Sequence, residues 1–327
     1  CDIKCEVKEE YVEENKEQEI VIYLKDNEDI EKQIQGIKDQ ISGLNAKTRI
    51  KFDFKNITED FHQLCLAGFW NEKVWNESRK VYYIEADFSG SSVTDSQFSK
   101  FCQYILGNTK NMTILRIHLA QTKISDEGIE NLSYQVLRGR SLKNFYLDCS
   151  NTTIRDSSLK SLKDGLEFSI KTLESLELVL DSTTVVTNGK EFYGIFAEMT
   201  QLKNLKLSFE KSSILSESIS LLFSNLVPIA RNIISLDLNF NHTKLTDANL
   251  GNFLMNVVPQ MNRLKNFRFC IGGTGLSNRM MTKFFQSLKS IAAQFINFEL
   301  DLHDIGLQNS ALAYFVKDIL GEMMYIE

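Results

Sequence analysis

The chain has 327 residues and a mass of 37.5 kDa, with 43% hydrophobic and 24% charged side chains, enough apolar material for a buried core and enough to exclude wholesale disorder. A formal charge of -6 and a pI of about 5.5 argue against nucleic acid as the main partner, because phosphate binding needs a concentrated basic surface. No apolar run approaches the roughly 20 residues of a membrane span, and no segment has the layout of a cleavable leader, so no membrane span is expected.

The first residue is Cys1 rather than methionine, which reads as a processed or truncated product. Residues 1–18 carry seven acids against three lysines and are expected to form a mobile tail. Ile20, Ile22 and Leu24 alternate like a short strand, and Ile30, Ile34, Ile37 and Ile41 then share one helical face. The same sequence of elements returns with Ile50, Phe52 and Phe54, followed by a helix capped by Asp60 and running through Phe61, Leu64 and Cys65. Residues 19–77 therefore read as two degenerate repeats that cap one end of a stack, with the aromatic residues between Phe69 and Trp75 filling the join.

From residue 78 to 327 the pattern becomes regular. Ile84, Leu115, Phe145, Leu176, Leu205, Leu236, Phe267 and Phe298 form a column spaced by 29 to 31 residues. Apolar residues recur two and four positions later, as in Ile117 and Leu119 or Leu238 and Phe240, and again three positions earlier, as in Leu142 or Leu202. That is a strand with one buried face, repeated eight times. Seven residues after the reference position a hydroxyl recurs (Ser91, Thr122, Thr152, Thr183, Ser212, Thr243, Thr274), replaced only by Ile305 in the last copy. It suits a side chain that holds the backbone as it turns away from the sheet. An aliphatic residue returns at plus nine, and at plus eleven Asp95, Asp126, Asp156, Thr187, Ser216, Asp247, Asn278 and Asn309 are all competent helix N-caps. Apolar residues at plus 14, 17 and 21, such as Phe98, Phe101 and Ile105 or Leu312, Phe315 and Ile319, lie on one α-helical face. Pro228 and Pro259 both fall at plus 23, where the helix is expected to stop.

Each unit is thus strand, turn, capped helix and return loop, and no unit can hide its apolar residues alone. Stacking them makes a parallel sheet on one side and helices on the other, and because helices are wider than strands the stack is expected to bend into an arc with strands inside. The pattern L-x-x-L-x-L, clearest in Leu173–Leu178, Leu202–Leu207 and Ile233–Leu238, resembles leucine-rich repeats of the ribonuclease-inhibitor type. The third apolar strand position and the following I-x-D of Ile124-Ser125-Asp126 resemble the variant abundant in ciliate proteins. The asparagine or cysteine ladder usual after the strand is not uniform here. The resemblance implies an α/β leucine-rich-repeat solenoid, a curved horseshoe with its parallel sheet on the concave face and helices on the convex face. It also implies a role in assembling larger complexes, cytoplasmic and of ciliary or cytoskeletal kind.

Catalytic chemistry has no foothold that the repeat leaves unexplained. His62, His118, His242 and His303 fall in different units without nucleophile or HExxH spacing. Asp301 and His303 stand two apart and are weighed only as a minor metal candidate. Gly272-Gly273-Thr274-Gly275 lacks the ending of a phosphate loop and matches the turn register. The six cysteines lack disulfide or zinc spacing and read as reduced thiols, several of them buried. No cofactor, metal or enzymatic activity is expected. Six N-x-S/T sequons, at Asn56, Asn76, Asn111, Asn131, Asn151 and Asn241, read as chance in a chain rich in Asn, Ser and Thr, several lying where a glycan would strike the next repeat.

What remains is the outward strand face. Its candidate partner-binding residues are Glu85, Asp87, Arg116, His118, Tyr146, Asp148, Glu177, Lys206, Asp237, Asn239, Arg268, Glu299 and Asp301, with Asn144, Asn204, Asn266 and Asn297 one position before the reference column. Seven acids among them stand against three lysines and arginines, which suits a protein partner of mixed or basic charge. The expected function is a non-enzymatic protein-binding or scaffold subunit. The alternatives are the recognition region of a longer polypeptide, for example one carrying a kinase, and a GTPase activator using Arg116 and Arg268.

Overall fold

A computed structural model describes residues 5–8, 17–23, 47–55, 80–185 and 190–319. Two compact units are present: Cys1–Ile154 with Asp164–Ser169, and Arg155–Lys163 with Ile170–Glu327. The helices expected over 30–41 and 60–65, and the section 69–75, lie outside the described residues.

The first unit holds strands β1 (Cys5–Lys8), β2 (Glu17–Tyr23), β3 (Lys47–Asp53), β4 (Val81–Asp87), β5 (Ile114–His118) and β6 (Asn144–Asp148). Strands β2 to β6 are parallel, each beside the next, with Ile20, Ile50, Ile84, Leu115 and Phe145 in one register row. The apolar alternation of the two weak upstream units is therefore the same column, continued. Within the stretch expected as a mobile tail, β1 adds antiparallel to β2. Helices α1 (Asp95–Phe101) and α2 (Asp126–Leu132) each run on into a π turn, Cys102–Leu106 and Ser133–Leu137. Helix α3 (Asp156–Leu166) contributes residues to both units.

The second unit holds β7 (Ser175–Val179), β8 (Asn204–Ser208), β9 (Ser235–Asn239), β10 (Asn266–Cys270) and β11 (Asn297–Asp301), with α4 (Lys190–Gly194), α5 (Ser216–Leu226), α6 (Asp247–Asn252), α7 (Asn278–Leu288) and α8 (Asn309–Tyr314) between and after them. All its pairings are parallel, and Leu176, Leu205, Leu236, Phe267 and Phe298 share a row. Each unit is thus an open α/β sheet, parallel from β2 onward, with a helix between successive strands from β4 on among the described residues, the architecture of a leucine-rich-repeat-like solenoid.

The columns are the core. Val81, Met112, Leu142, Leu173, Leu202, Ile233, Leu264 and Phe295 are all buried, as are the reference residues of β4 to β10. Each such leucine contributes about 1.5–3 kcal/mol. Where the columns carry phenylalanine the rings interlock: Phe88 stands edge-on to Phe98 and Phe101, and Phe253 stacks on Phe269 at 5.5 Å. One expectation fails at the last described helix: Leu312 is 48% exposed, since among the described residues no later helix covers it.

The turn after each strand is built by backbone that the composition hides. Gly90, Gln121, Asn151, Ser182, Lys211, His242, Gly273 and Asp304 all have φ between 53° and 68°, and all stand six residues after the reference position. Only two are glycine, so six repeats hold a non-glycine residue in the left-handed region. What holds them is the ladder beyond the strand, where Gln121 N donates to Ser150 O at 2.9 Å and His242 N to Gly272 O at 2.8 Å. The hydroxyl column closes the turn as expected in five threonines: Thr122, Thr152, Thr183, Thr243 and Thr274 donate to the carbonyl three residues back at 2.6–2.7 Å. Ser212 differs, its buried Oγ having no hydrogen-bond partner.

The helix starts are corrected by one residue. The N-caps are Thr94, Ser125, Thr246 and Ser277, one position before Asp95, Asp126, Asp247 and Asn278, the residues expected to cap, which are instead the first helical residues. The Asp95 and Asp247 carboxylates reach across to the next repeat's cap. Asp95 accepts from Ser125 N and Oγ at 2.9 and 2.6 Å, and Asp247 from Ser277 N and Oγ at 2.9 and 2.5 Å. The column is thus a stacking device between repeats, with the dipole of its own helix also favouring the charge. The first of the two helix ends falls where expected, with α5 stopping two residues before Pro228, whereas Pro259 lies inside a 3-10 turn, Val258–Gln260, that continues from the π turn Phe253–Val257. At the far end of α2 the half-buried Arg140 lays its guanidinium on the carbonyls of Val136, Leu106, Gly107 and Thr109, and burial lowers its pKa to about 10.

Candidate functional site

The outward residues of the parallel strands stand at the positions one before, one after and three after the reference row, so each strand contributes the same places to a common face.

In the first unit this face is interlocked. Glu85 Oε2 accepts from the Tyr83 hydroxyl at 2.7 Å, and its Oε1 lies 3.2 Å from His118 Nε2 and 4.0 Å from Arg116 Nε. The Arg116 guanidinium lies 4.2 Å over the Tyr146 ring, and the His118 ring packs 4.5 Å from the same tyrosine. Arg49 of β3 covers Tyr83 at 4.4 Å, and Lys51 pairs with Glu19 at 2.7 Å. The His118 hydrogen bond, opposed by burial and aided by the Tyr83 hydroxyl, holds the Glu85 pKa down at about 2. Burial first, and then the bond to Glu85, push Tyr83 up to about 12. Arg49 and Lys51 are not among the sequence candidates, although they occupy the outward positions on either side of Ile50 and follow from the same alternation.

In the second unit the position after the reference row carries a charge ladder. Lys206 Nζ lies 3.6 Å from Asp237 Oδ2, Arg268 NH1 lies 3.2 Å from Asp237 Oδ1, and Arg268 Nε lies 2.9 Å from Glu299 Oε1. The sign alternates strand by strand. A shallow depression of about 420 Å³ is lined by Asp237, Arg268 and Glu299 of this ladder together with Ser235, Asn266 and Asn297, and Asn297 Nδ2 donates to Asn266 Oδ1 at 2.7 Å. Glu177 stands on β7 at the ladder position next to Lys206.

The third outward position serves the fold more than a partner. Asp87 Oδ1 accepts from Ser89 N at 2.9 Å, Asp148 Oδ1 from Ser150 N at 2.9 Å, Asn239 Oδ1 from Asn241 N at 3.0 Å and Asp301 Oδ1 from His303 N at 3.3 Å. These are Asx turns that start the left-handed corner. Asn239 is also buried, with its amide on Glu210 Oε2 at 3.3 Å, so it is no surface contact. Cys270 is likewise buried, as are Cys102 and Cys149, whose thiols burial pushes well up.

Asp301 and His303 do face each other, with Nδ1 and Oδ1 at 2.6 Å, and that bond raises the His303 pKa while lowering that of Asp301. They are joined by a residue that no spacing rule singled out: His242 Nε2 lies 3.1 Å from His303 Nε2, across 61 residues. Of the sequons, Asn241 is buried with Nδ2 on Asp301 Oδ2 at 2.8 Å, which leaves no room for a glycan. Among the described residues no three His, Cys, Asp or Glu side chains converge as a metal-ligand set, and no helix is long and apolar enough to cross a membrane. Compared with models of known protein families and with curated proteins, the chain matches none.

Proposed function

We propose that this chain is a non-enzymatic protein-binding or scaffold subunit that docks a protein partner on its outward strand face. The observation that carries the reading is the ladder Lys206, Asp237, Arg268 and Glu299: charges of alternating sign, one per strand, held in register by the sheet and partly exposed. Such an array favours a partner whose charges repeat at the strand spacing of about 4.8 Å and disfavours mismatched surfaces by like-charge contact. The amides of Asn266 and Asn297 beside the ladder supply donors and acceptors for a partner's backbone. Because Arg116 and Arg268 are each engaged by a carboxylate or ring on their own sheet, the scaffold reading is preferred to that of a GTPase activator offering free arginines.

The reading extends to the family and the address. The repeats are leucine-rich repeats of the ribonuclease-inhibitor type in the variant abundant in ciliates, and the subunit serves a cytoplasmic complex of cytoskeletal or ciliary kind. The test inverts the ladder. Asp237→Lys with Glu299→Lys is expected to lose the proteins that the wild type captures from native extract, while its melting curve stays two-state and within a few degrees. Recovery of the same proteins by the variant removes this face as the docking surface. Localisation of the tagged chain to the secretory pathway removes the cytoplasmic assignment.

A further inference from the structure

The turns that follow β9, β10 and β11 bring two imidazoles together in a way that the repeat does not require. His242 occupies the left-handed corner after β9, and His303 stands at the start of the corner after β11. The turn between them, after β10, carries Gly272 and Gly273. A methyl group on Gly272 would overlap the His303 ring, and one on Gly273 would overlap the His242 ring. The middle repeat is therefore emptied of side chains at the two places where its neighbours' histidines lie, and the rings meet over bare backbone.

The atoms that meet are the two Nε2 nitrogens, 3.1 Å apart. His303 Nδ1 faces Asp301 Oδ1 at 2.6 Å, so the proton sits on Nδ1 and the Nε2 lone pair points to His242. A carboxylate behind one nitrogen and a free lone pair on the other is the arrangement that orients a metal-binding histidine and strengthens it as a donor. Asp301 is itself fixed by Asn241 Nδ2 at 2.8 Å. Glu210 acts electrostatically on both histidines and Asp304 on His303, which adds a negative field around the pair.

We infer that His242 and His303 form an open binding site for a late first-row divalent metal ion, with Asp301 as the carboxylate that orients His303. With the metal about 1.3 Å off the line between the two nitrogens and each ring turned to aim its lone pair there, metal–nitrogen distances of about 2.0–2.1 Å and the observed 3.1 Å separation give an N–metal–N angle of about 95–102°. That is closer to the right angle of square-planar or octahedral coordination than to a tetrahedron, which selects copper(II) and nickel(II) over zinc. Only two protein nitrogens bind, so the remaining positions are open to water or to a donor brought by another molecule. The proton that the two Nε2 atoms share in the metal-free pair is released on binding.

The experiment uses the full chain purified without a histidine tag and titrated with nickel(II) by calorimetry, and with copper(II) by electron paramagnetic resonance. The wild type is expected to bind one equivalent that is absent in His303→Ala and in His242→Asn, the latter chosen because asparagine tolerates the left-handed corner. The copper spectrum is expected to show coupling to two imidazole nitrogens, reduced to one or none in the variants. Asp301→Asn is expected to weaken binding by about 10–100-fold while leaving the stoichiometry at one. Equal nickel binding by wild type and both histidine variants, or no binding by the wild type at millimolar nickel, overturns the assignment. Unchanged thermal melts of the variants separate loss of the site from loss of the fold.

Discussion

The outward faces of the two units are built on one strand register yet hold their charges in different ways. In the first unit Tyr83, Glu85, Arg116, His118 and Tyr146 lean on one another across three strands, and a carboxylate is held with three neighbours. In the second unit the ladder from Lys206 to Glu299 is a single file in which Asp237 and Arg268 each touch two neighbours, and Glu299 at its end keeps 61% of its side chain exposed. The difference lies in the aromatic residues. Tyr83 and Tyr146 cover part of the first cluster, where Glu85, Arg116 and His118 keep 21–30% of their side chains exposed, whereas the second is bordered by Asn266 and Asn297 and opens to 37–61% at Lys206, Arg268 and Glu299. A partly covered cluster stabilises its own sheet, and a more exposed ladder remains open to exchange partners.

The largest effect should be indifferent to this contrast. Leu115→Ala in the first unit and Leu205→Ala or Leu236→Ala in the second each delete a fully buried column residue and should cost about 2–5 kcal/mol by denaturant titration. No loss in any of them would break the packing that both faces rest on.

Next come the acids. Glu85→Gln should destabilise by about 1–3 kcal/mol, since it leaves the buried Tyr83 hydroxyl and the half-buried His118 and Arg116 poorly matched, whereas Glu299→Gln should stay within about 0.5 kcal/mol. The sign with pH follows from the depressed pKa. Glu85 titrates near 4.5 when unfolded and at about 2 when folded, so its stabilisation is complete above about pH 4.5 and is lost as pH falls towards 2. The Glu85→Gln variant should show a shallower loss of stability over that interval, and an unchanged slope would contradict the network.

The inter-repeat caps should again make the units alike. Asp95→Ala and Asp247→Ala each remove a carboxylate from the neighbouring repeat's cap and should cost about 1 kcal/mol, read as a fall in melting temperature. Smallest is the corner. Gln121→Gly and Lys211→Gly relieve a left-handed backbone at exposed positions and should raise stability by about 0.5 kcal/mol, the gain being reduced by the added freedom of glycine when unfolded.

Much of this molecule was legible before any coordinates. The row Ile84 to Phe298 is the register of the sheet within each unit, and even the weak rows at Ile20 and Ile50 fall in line, because with one buried face a one-residue slip would turn the whole apolar set outward. The threonines of the hydroxyl column also close the turn as their chemistry suggests, and Ser212 does not. The cap column was misread by one place because serine, threonine and aspartate stand side by side there and all can cap; which of them caps its own helix and which reaches to the next is settled only when the repeats stack. The candidate face was legible as a list of outward positions and not as contacts, so the Asx turns of Asp87, Asp148 and Asp301 and the burial of Asn239 were invisible.

The amino-acid sequence by itself determined the solenoid, since apolar residues at a spacing near 31 leave stacking as the way to remove them from water. Only the tertiary structure decided which polar residues meet, because those contacts join positions about 30 or 60 residues apart. They depend on what the intervening repeat leaves empty, as Gly272 and Gly273 do beneath His242 and His303. Periodicity carries information about burial; the geometry of a site depends on individual side chains filling or vacating space, and no repeat rule encodes that.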